Sequence, residues 1–468
     1  MKIIVNEKIV IFEATQQVKE YCKNDLTISN PEYFKLERMG KWTGNTPQKL
    51  KLYEYHNTYI DQIFLLPFGC IADIWKMHPN IDDWTIGIKP IDKINYHSKI
   101  SLYGYQEQAV QAVLKKKNGI LVMPCGAGKT QTGIEIISRI GGKALWLTHT
   151  QDLLNQSKKR AESVLEIDGT FGTITAGEAD VGTHITFATV QTLSKLDLSE
   201  YCNEFDIIIV DECQHCAGSP TRVTQFYKVM SNLSARYKIG LTATPHRADG
   251  LEKAMFALLG DVIHTVSRDD VSHTTCPIKV KKIYTGFKID TDDFTDDNGI
   301  LNYNGIVDCL TEDTERMQFV ADTINRYRDG GMMILANRVA YLQRLSELLN
   351  CKSVCLSGMG NSIKDKEERK QVLKKLNDGE IDCVLATYQL AKEGLDVPNL
   401  KYVAFATPEK DETTVIQSAG RVGRKADGKT HGTVFDFVDD VGMYLGWSRK
   451  RDSYYRKINA DIMNDVSF

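Results

Sequence analysis

Long hydrophobic runs are missing from the sequence, and their absence excludes membrane-spanning helices. No stretch of the 468 residues approaches the ~18 consecutive apolar residues that such a helix requires. The N-terminus carries one short apolar run, broken by Asn6, Glu7 and Lys8, without the small-residue end of a cleaved secretory signal. We therefore expect a cytoplasmic protein that does not bind membranes.

The chain also lacks a strong excess of charge of one sign. Its 58 Lys and Arg against 61 Asp and Glu give a formal net charge of −3. This balance excludes a general electrostatic attraction to nucleic acid, so any phosphate-binding surface has to be a local patch or groove. The length predicts roughly two to four domains.

A disulfide framework is absent as well. The eleven cysteines are scattered, and several lie in apolar runs, such as Cys383 in residues 381–387. Reduced thiols explain this distribution best. The densest group is Cys202, Cys213 and Cys216 with His215, but three of these crowd into one short loop, whereas zinc sites need paired ligands at separated spacings. A metal site there is disfavoured.

Alternation of apolar runs and amphipathic segments predicts the domain organisation. Residues 1–98 mix short β-like runs with a helical stretch around Ala14–Lys23, which predicts a small α+β domain. From residue 99 the alternation predicts two parallel sheets covered by helices on both faces. The predicted boundaries are 1–98 for the N-terminal domain, 99–260 for the first α/β domain, 261–315 for a linker or insertion with an acidic stretch at 288–300, 316–440 for the second α/β domain, and 441–468 for a basic and aromatic tail.

A phosphate-binding loop follows the first of these apolar runs. Residues 123–130 read MPCGAGKT, and they stand between a strand candidate and a helical segment. The glycines let backbone N–H groups converge on phosphate oxygens, the lysine places a cation against the β- and γ-phosphates, and the threonine offers a hydroxyl to Mg²⁺. A glycine-rich turn that only caps a helix is the alternative. The predicted ATP-binding residues here are Cys125, Gly126, Ala127, Gly128, Lys129 and Thr130.

Two carboxylates supply the second half of a nucleotide site. Asp211 and Glu212 end an apolar, β-branched strand candidate, which places them at the carboxyl edge of a parallel sheet. We predict that Asp211 holds Mg²⁺ and that Glu212 orients and deprotonates the attacking water. Adjacent acids could instead cap the next helix; the upstream phosphate-binding loop favours the catalytic interpretation.

Residues 211–215, DECQH, resemble the DExH form of motif II in superfamily 2 helicases, and other motifs of that family occur in the family's order. Gln106 resembles the glutamine that reads adenine, although the family often has Arg-Pro-Tyr-Gln where this chain has residues 103–106, YGYQ. Residues 241–245, LTATP, resemble motif III. The resemblance implies that His215, Thr242 and Thr244 couple the ATP site to domain movement.

Further motifs resemble the family's nucleic-acid contacts. Residues 147–156 and 187–193 resemble motif Ia and the strand-binding motif after it, while residues 332–349 resemble motif IV. Thr387 with residues 393–396 resembles motif V. Contacts of this kind position a strand without reading its sequence. The resemblance implies strand contacts by Thr148, Gln151, Thr189, Gln191, Arg338 and Thr387, and nucleotide contacts by Gly394 and Asp396.

Residues 417–424, QSAGRVGR, fit the QxxGRxxR pattern of motif VI. Arg421 and Arg424 are three residues apart, so they would share one face of a helix. The resemblance implies that Gln417, Arg421 and Arg424 are catalytic, with the two arginines reaching the γ-phosphate from the second domain. Two arginines on a solvated helix are the alternative.

Within this superfamily the chain resembles the XPB-like branch, and particularly the UvsW-type recombination helicases of phages. Residues 247–249 read Arg-Ala-Asp where the branch has Arg-Glu-Asp, so Ala248 departs from the pattern. In the N-terminal domain, residues 30–31, 40–42 and 65–69 are similar to the UvsW-type domain, which implies that this domain binds duplex DNA.

Two clusters of basic and aromatic residues could contact nucleic acid. Arg38, Lys41 and Trp42 are the candidate duplex contacts, because each cation could neutralise a phosphate; a solvated loop with a packed Trp is the alternative. In residues 447–457 aromatic residues stand beside cations, as in strand-binding platforms. A helix docked by its aromatics is the alternative for that segment.

Taken together, the resemblance implies an α/β protein with two tandem RecA-like parallel-sheet domains and a small α+β N-terminal DNA-binding domain. It implies an ATP- and Mg²⁺-dependent motor that moves 3′ to 5′ and acts on branched DNA, by unwinding or branch migration, in recombination, repair or replication restart. We expect a monomer, in the cytoplasm of a bacterium or of a phage-infected host, whose partners are a single strand in the motor, duplex at the N-terminal domain, and forks or junctions. The alternatives are an RNA helicase, a restriction-type translocase, or a DNA-junction binding protein with an inactive ATP site.

Overall fold

The computed structural model shows two compact units, Met1–Ser267 and Arg268–Phe468. Within the described residues, no helix combines the length and the apolar character needed to cross a bilayer. The residues that the structure describes are 1–57, 62–124, 126–175, 178–217, 219–245, 250–271, 275–295, 299, 301–356, 363–392, 397, 399–426 and 428–464.

The N-terminal part of the first unit is built on a five-stranded mixed sheet. Ile3, Val5, Ile9 and Ile11 are fully buried because alternate residues of a strand point to the same face. The order of the sheet is β5-β6-β2-β1-β7, with β7 parallel to β1 and the other neighbours antiparallel. The elements are β1 Lys2–Val5, β2 Lys8–Phe12, α1 Gln16–Asn24, β3 Thr27–Ser29, α2 Pro31–Arg38, β4 Lys49–Lys51, β5 Glu54–Asn57, β6 Gln62–Pro67, α3 Ile71–Met77, β7 Trp84–Ile86 and β8 Tyr96–Ser98.

The rest of the first unit is an α/β domain on an eight-stranded sheet. Its order is β13-β12-β14-β10-β15-β16-β9-β17, and all neighbours are parallel except β13 and β12. The central strands are buried on both faces, which is why they read as continuous apolar runs. The elements are α4 Gly104–Lys116, β9 Asn118–Val122, α5 Lys129–Ile140, β10 Ala144–Thr148, α6 Gln151–Val164, β11 Leu165–Ile167, β12 Phe171–Thr175, β13 Glu178–Asp180, β14 Ile185–Thr189, α7 Val190–Leu193, β15 Ile207–Asp211, α8 Cys213–Cys216, α9 Pro220–Met230, β16 Tyr237–Thr242, α10 Glu252–Leu259 and β17 Val262–Thr265.

Tight packing joins the N-terminal part to this α/β domain. Gly69 lies so close to the end of α10 that a Cβ on it would stand 2.4 Å from the backbone N of Gly260. Lys238 on β16 is fully buried, and its Nζ donates to the carbonyls of Glu7 at 3.3 Å and Met230 at 3.0 Å. One hydrophobic core runs through both parts.

The second unit is built on a seven-stranded sheet in which all neighbouring strands are parallel. Its order is β20-β21-β19-β22-β23-β18-β24. The α/β fold class predicted from the sequence is confirmed. The elements are β18 Ile278–Tyr284, α11 Tyr303–Glu312, α12 Thr314–Tyr327, β19 Met332–Ala336, α13 Val339–Glu347, β20 Ser353–Cys355, α14 Ile363–Asn377, β21 Cys383–Thr387, α15 Tyr388–Lys392, β22 Tyr402–Phe405, α16 Glu412–Val422, β23 Gly432–Val438, α17 Gly442–Lys457 and β24 Asp461–Asn464.

Residues 261–315, expected as a linker or insertion, contribute a strand to each large sheet. β17 pairs with β9 in the first sheet, and β18 lies between β23 and β24 in the second. The lysines of β18 conceal its burial in the sequence. Lys282 is only 3% exposed, and its ammonium pairs with Asp452.

The basic and aromatic segment near the C-terminus is a packed helix. On α17, Arg451 is 1% exposed and donates two hydrogen bonds to Asp436, at 3.0 and 2.6 Å. The Tyr455 hydroxyl donates to the same carboxylate at 3.1 Å. These two side chains therefore satisfy a buried charge, and the docked-helix alternative is the correct one for them.

We expect the buried Lys238 to make stability depend on pH. Burial lowers the pKa of Lys238 to about 7, whereas an unfolded lysine has a pKa of ~10.4. The unfolded state therefore binds more protons between these values, so the cost of burying this residue is complete below about pH 7 and is relieved as the pH rises. The change in melting temperature caused by Lys238→Met should therefore be more favourable at pH 6.5 than at pH 9. The difference between the two changes should be on the order of 2–5 °C.

The matched control is Lys115→Met, which removes an exposed lysine from α4. Its effect on the melting temperature should be the same at both pH values. An equally pH-independent effect of Lys238→Met would contradict the predicted charge burial.

Candidate active site

Three adjacent strands bring the predicted catalytic residues to one edge of the first sheet. β16 lies between β9 and β15, with Thr242 opposite Val122 and Leu241 opposite Asp211. The carboxyl ends of parallel strands meet at one edge, where ligands of α/β proteins bind. The phosphate-binding loop, Thr242 and the two carboxylates therefore face the same region.

The phosphate-binding loop has the backbone conformation that its glycines permit. Gly126 and Gly128 have φ of +84° and +75°, in the left-handed region that other residues rarely adopt. Gly128 precedes the first residue of α5, so the N–H groups of that helix point out of its N-terminus toward the loop. Ala127 is buried, and Thr130 is half-buried on the first turn of α5.

Gln106 braces this loop from α4. Its Nε2 donates to the Ala127 carbonyl at 3.0 Å, and its Oε1 accepts from the Tyr103 N–H at 2.9 Å. A Cβ on Gly128 would lie 2.5 Å from the Gln106 Nε2. With 2% exposure, Gln106 contacts the loop and no open surface, so its adenine-reading role stays a prediction.

Lys129 and the two carboxylates form one network. The Lys129 Nζ lies 3.3 Å from Glu212 Oε1, and the Gln214 amide donates to Glu212 Oε2 at 2.7 Å. Asp211 accepts a hydrogen bond from the Glu212 N–H at 3.0 Å. Glu212 has φ of +47°, which is uncommon outside glycine and is found where a functional site imposes strain.

The charges of this network are out of balance. Burial, assisted by the neighbouring Glu212, raises the pKa of Asp211 to about 7, although Lys129 opposes the shift. Burial also raises the pKa of Glu212, but the attraction of Lys129 outweighs it and the net shift is downward. Lys129 thus lies beside one buried and one half-buried carboxyl group, and a hard divalent cation with oxygen ligands, such as Mg²⁺, fits this pair.

His215 of the DExH sequence packs against a residue that the sequence did not single out. The rings of His215 and His149 lie 4.4 Å apart between centroids, at an interplanar angle of 32°. Burial lowers the pKa of His149 to about 2, assisted by His215 and Arg222. Its position beside Thr148 in motif Ia was the only available signal.

Motif III occupies the end of β16. The Thr242 hydroxyl accepts a hydrogen bond from the Thr244 N–H at 3.0 Å, and both side chains are buried. The Thr242 hydroxyl thus fixes the turn that leaves the central strand of the site. Its coupling role stays a prediction.

Two of the predicted strand contacts have hydroxyls that bond within the chain, and their contact with a strand stays a prediction. Thr148 is fully buried and its hydroxyl donates to the Thr150 carbonyl at 2.9 Å. The Thr189 hydroxyl accepts from the Thr192 N–H at 3.2 Å and caps α7. Both threonines end paired strands of a sheet that is buried on both faces, so their hydroxyls bond within the chain.

Gln151 and Gln191 remain at the same edge. Both side chains are half-buried, and the Gln191 Nε2 donates to the His149 carbonyl at 2.9 Å. Gln151 is the first residue of α6, and its amide lies 3.4 Å from the Asn155 side chain. These side chains of motif Ia and of the strand-binding motif after it stay candidates for strand contacts.

In the second unit, motif VI does not form one continuous helix. α16 ends at Val422, so Arg424 lies beyond it and forms a β-bridge with Thr275. The prediction that Arg421 and Arg424 share a helix face is therefore wrong. The chain leaves the helix because the Gly423 carbonyl accepts a hydrogen bond from the Cys276 N–H at 2.7 Å.

The other predicted residues of this unit have local partners. Arg421 is buried and donates to the Ala391 carbonyl at 2.6 Å, and Gln417 is half-buried on α16. Arg338 pairs with Asp308 at 2.8 Å, and the Thr387 hydroxyl accepts from the Leu390 N–H at 3.3 Å. The predictions for Cys125, Gly394, Asp396 and residues 247–249 lie outside the described residues.

The predicted duplex contacts lie together at the end of α2 and on the exposed loop that follows it. Arg38 and Lys41 are exposed, and Trp42 is 88% exposed. Asn30 anchors the far end of the loop, because its side chain donates to the Pro47 carbonyl at 2.7 Å. The loop is thus closed at its base and presents the tryptophan to solvent.

Comparison with known families assigns both α/β domains. Residues 99–247 match the family described as "Type III restriction enzyme, res subunit". Residues 315–426 match the "Helicase conserved C-terminal domain" family.

Three curated proteins are similar over most of the chain. DNA 3′-5′ translocase XPB2 of Sulfurisphaera tokodaii is 27% identical, over 70% of this chain and 80% of that protein. L396, a candidate ATP-dependent RNA helicase of Acanthamoeba polyphaga mimivirus, is 25% identical over 98% of this chain and 85% of that protein. The ATP-dependent DNA helicase uvsW of Enterobacteria phage T4 is 21% identical over 88% of this chain and 84% of that protein.

A solved structure supports the fold. Saccharomyces cerevisiae Dbp5 bound to RNA and ADP BeF3 matches with a TM-score of 0.54 at 16% identity, over 78% of this chain and 90% of that chain. At this identity the match concerns the fold alone. The family matches, the named relatives and the motif order lead to one conclusion. The chain belongs to the superfamily 2 helicases, in the branch of the XPB-like and UvsW-type enzymes, and is an ATP-dependent helicase.

Proposed function

We propose that this chain is an ATP-driven motor that moves 3′ to 5′ along one DNA strand and unwinds or migrates branched DNA. The observation that carries the proposal is the network of Lys129, Asp211 and Glu212, which joins the start of α5 to the carboxyl end of β15. The names of two relatives support DNA as the substrate and 3′ to 5′ as the direction, since XPB2 is called a DNA 3′-5′ translocase and uvsW a DNA helicase.

The phosphate-binding loop would hold the triphosphate of ATP. Backbone N–H groups of residues 126–130 and the N-terminus of α5 would contact phosphate oxygens, and Lys129 would contact the β- and γ-phosphates. Lys129 now pairs with Glu212 at 3.3 Å. Binding of the triphosphate would offer this ammonium a second anionic partner and leave Glu212 available to water.

Thr130 and Asp211 would hold Mg²⁺, which when bound neutralises charge on the β- and γ-phosphate oxygens. Glu212 would accept a proton from the attacking water while the water oxygen bonds to the γ-phosphorus. The bond between that phosphorus and the β–γ bridging oxygen breaks, and ADP and phosphate leave. Gln214 would orient Glu212 through its hydrogen bond of 2.7 Å.

Gln417, Arg421 and Arg424 are proposed as the contribution of motif VI to the same reaction. Guanidinium groups at the γ-phosphate stabilise the charge of the transition state. This role comes from the family pattern of residues 417–424.

The exposed loop after α2 is proposed as the duplex contact. Arg38 and Lys41 would neutralise phosphates, and Trp42 would lose its exposed apolar surface to the bound DNA. At 88% exposure, Trp42 is the most exposed large hydrophobic side chain among the described residues. Tryptophan is among the residue types that are enriched at binding interfaces.

RNA is the second candidate substrate. L396 is named as a candidate RNA helicase and aligns with 98% of this chain, and Dbp5 has the same fold with RNA bound. The motor motifs contact backbone phosphates, which RNA and DNA share. The choice between them is therefore an experimental one.

Variants of the network should separate nucleotide binding from hydrolysis. Glu212→Gln should lower ATP turnover by at least ~100-fold with little change in ATP affinity, because it removes the proton acceptor and keeps the shape. Lys129→Ala should weaken ATP binding by at least ~10-fold. Turnover by phosphate release and binding of a fluorescent ATP analogue measure the two effects.

Glu166→Gln is the control, since it neutralises an exposed carboxylate on β11. It should leave both quantities unchanged. Normal turnover in Glu212→Gln would refute the assigned role.

ATP turnover with different nucleic acids tests the substrate. We expect single-stranded DNA and forked or four-way DNA junctions to raise turnover by at least ~10-fold, and single-stranded RNA of the same sequence to do so less than ~2-fold. Equal stimulation by RNA would favour the second candidate. No stimulation by any of them would remove the motor proposal.

Trp42→Ala should weaken binding to forks and duplex by ~10-fold, because the loop loses its aromatic contact surface. Binding to a single strand should change less than ~2-fold. Fluorescence anisotropy with labelled oligonucleotides measures both. The matched control is Trp75→Ala, which removes a partly exposed tryptophan from α3. Equal losses of binding to forks and to single strands in Trp42→Ala would contradict the duplex role.

A further inference from the structure

His149 contacts both functional parts of the first unit. It lies directly after β10, is 8% exposed, and stacks on His215 with ring centroids 4.4 Å apart. Its backbone carbonyl accepts a hydrogen bond from Gln191 at 2.9 Å. One buried residue thus joins motif II to the side chain proposed to contact the strand.

A short series of contacts continues from His215 to the phosphate-binding loop. Gln214, the neighbour of His215 on α8, donates to Glu212 at 2.7 Å. Glu212 in turn lies 3.3 Å from the Lys129 ammonium. The route from Gln191 to Glu212 thus runs through the backbone carbonyl and ring of His149, the ring of His215 and the adjoining Gln214.

Three buried polar atoms on this route have no hydrogen-bond partner among the described residues. They are His149 Nδ1, Gln191 Oε1 and Gln214 Oε1. Leaving a buried polar atom unpaired is unfavourable, and most buried polar atoms in proteins are paired. Three such atoms, on Gln191, His149 and Gln214, therefore place unused hydrogen-bonding capacity along this route.

A second buried histidine of the same unit shows the contrast. His184 is 4% exposed, and both its ring nitrogens have partners, the Thr183 hydroxyl at 3.0 Å and the Asn95 carbonyl at 3.1 Å. His184 therefore serves packing. The ring of His149, at similar burial, contacts the ring of His215 and leaves Nδ1 unpaired.

We infer that His149 is a positioning residue that transmits strand binding at Gln191 to Glu212 through its ring contact with His215. The inference rests on the proposed function. A strand that displaces the Gln191 amide shifts the His149 carbonyl, and the stacked rings move α8 and thereby the hydrogen bond from Gln214 to Glu212. His149 touches neither nucleotide nor reacting water in this role.

The test compares ATP turnover of the full chain with and without a saturating single-stranded DNA oligonucleotide. His149→Ala should lower the stimulation ratio at least ~10-fold, while the dissociation constant of the oligonucleotide changes less than ~3-fold. His149→Phe keeps a ring against His215 and should retain at least about half of the stimulation. A variant that loses only overall stability would keep both the stimulation ratio and the dissociation constant of the oligonucleotide.

His184→Ala is the matched control, because it removes a histidine of similar burial from the same unit. It should lower the melting temperature and keep the stimulation ratio. If His149→Ala does not fold, His149→Phe is compared with His149→Leu, because only the first keeps a ring. The Leu variant should then lose the stimulation by DNA.

The outcomes separate this inference from the proposed function. If DNA stimulates the unchanged chain and His149→Ala keeps its stimulation ratio, the inference alone is overturned. If the unchanged chain responds to RNA only, the same comparison is made with RNA and decides in the same way. If no strand stimulates the unchanged chain, the proposed function fails and the inference fails with it.

Discussion

One ammonium placed beside a buried and a half-buried carboxyl group is the constraint on which the site depends. Asp211 and Glu212 are neighbours in sequence at the end of β15, and Lys129, the first residue of α5, lies 3.3 Å from Glu212. Burial strengthens charge interactions and makes an unbalanced charge costly. A site with this imbalance is suited to a ligand that brings both phosphates and a divalent cation.

The neighbouring structure supports this arrangement from several sides. Gln106 holds the phosphate-binding loop, and Glu212 is kept in a left-handed conformation beside Gln214. β16 carries Thr242 at one end of the strand and the buried Lys238 near the other. The strand that separates the loop from the carboxylates therefore also anchors the N-terminal region, which links the proposed DNA-binding loop and the nucleotide site within one compact unit.

Sequence reasoning succeeded where local pattern decides structure. Parallel strands buried on both faces are continuous apolar runs, and the glycines and charged residues of the site follow them at fixed positions. It failed where a distant partner decides. Lys282 hides a buried strand because its partner Asp452 is far away in sequence, and Arg451 is a core residue because Asp436 neutralises it. Likewise the end of α16 depends on the segment after Thr275, which is far away in sequence.

Binding of Mn²⁺ in the presence of ATP tests the central claim most directly, since this ion substitutes for Mg²⁺ and is followed by electron paramagnetic resonance. We expect the unchanged chain to bind Mn²⁺ together with ATP, and Asp211→Asn to weaken that Mn²⁺ binding by at least ~10-fold. Binding of ATP without metal should be unaffected by this substitution. Equal Mn²⁺ affinity in the two proteins would contradict the view that the buried carboxylate at the end of β15 completes a metal–nucleotide site.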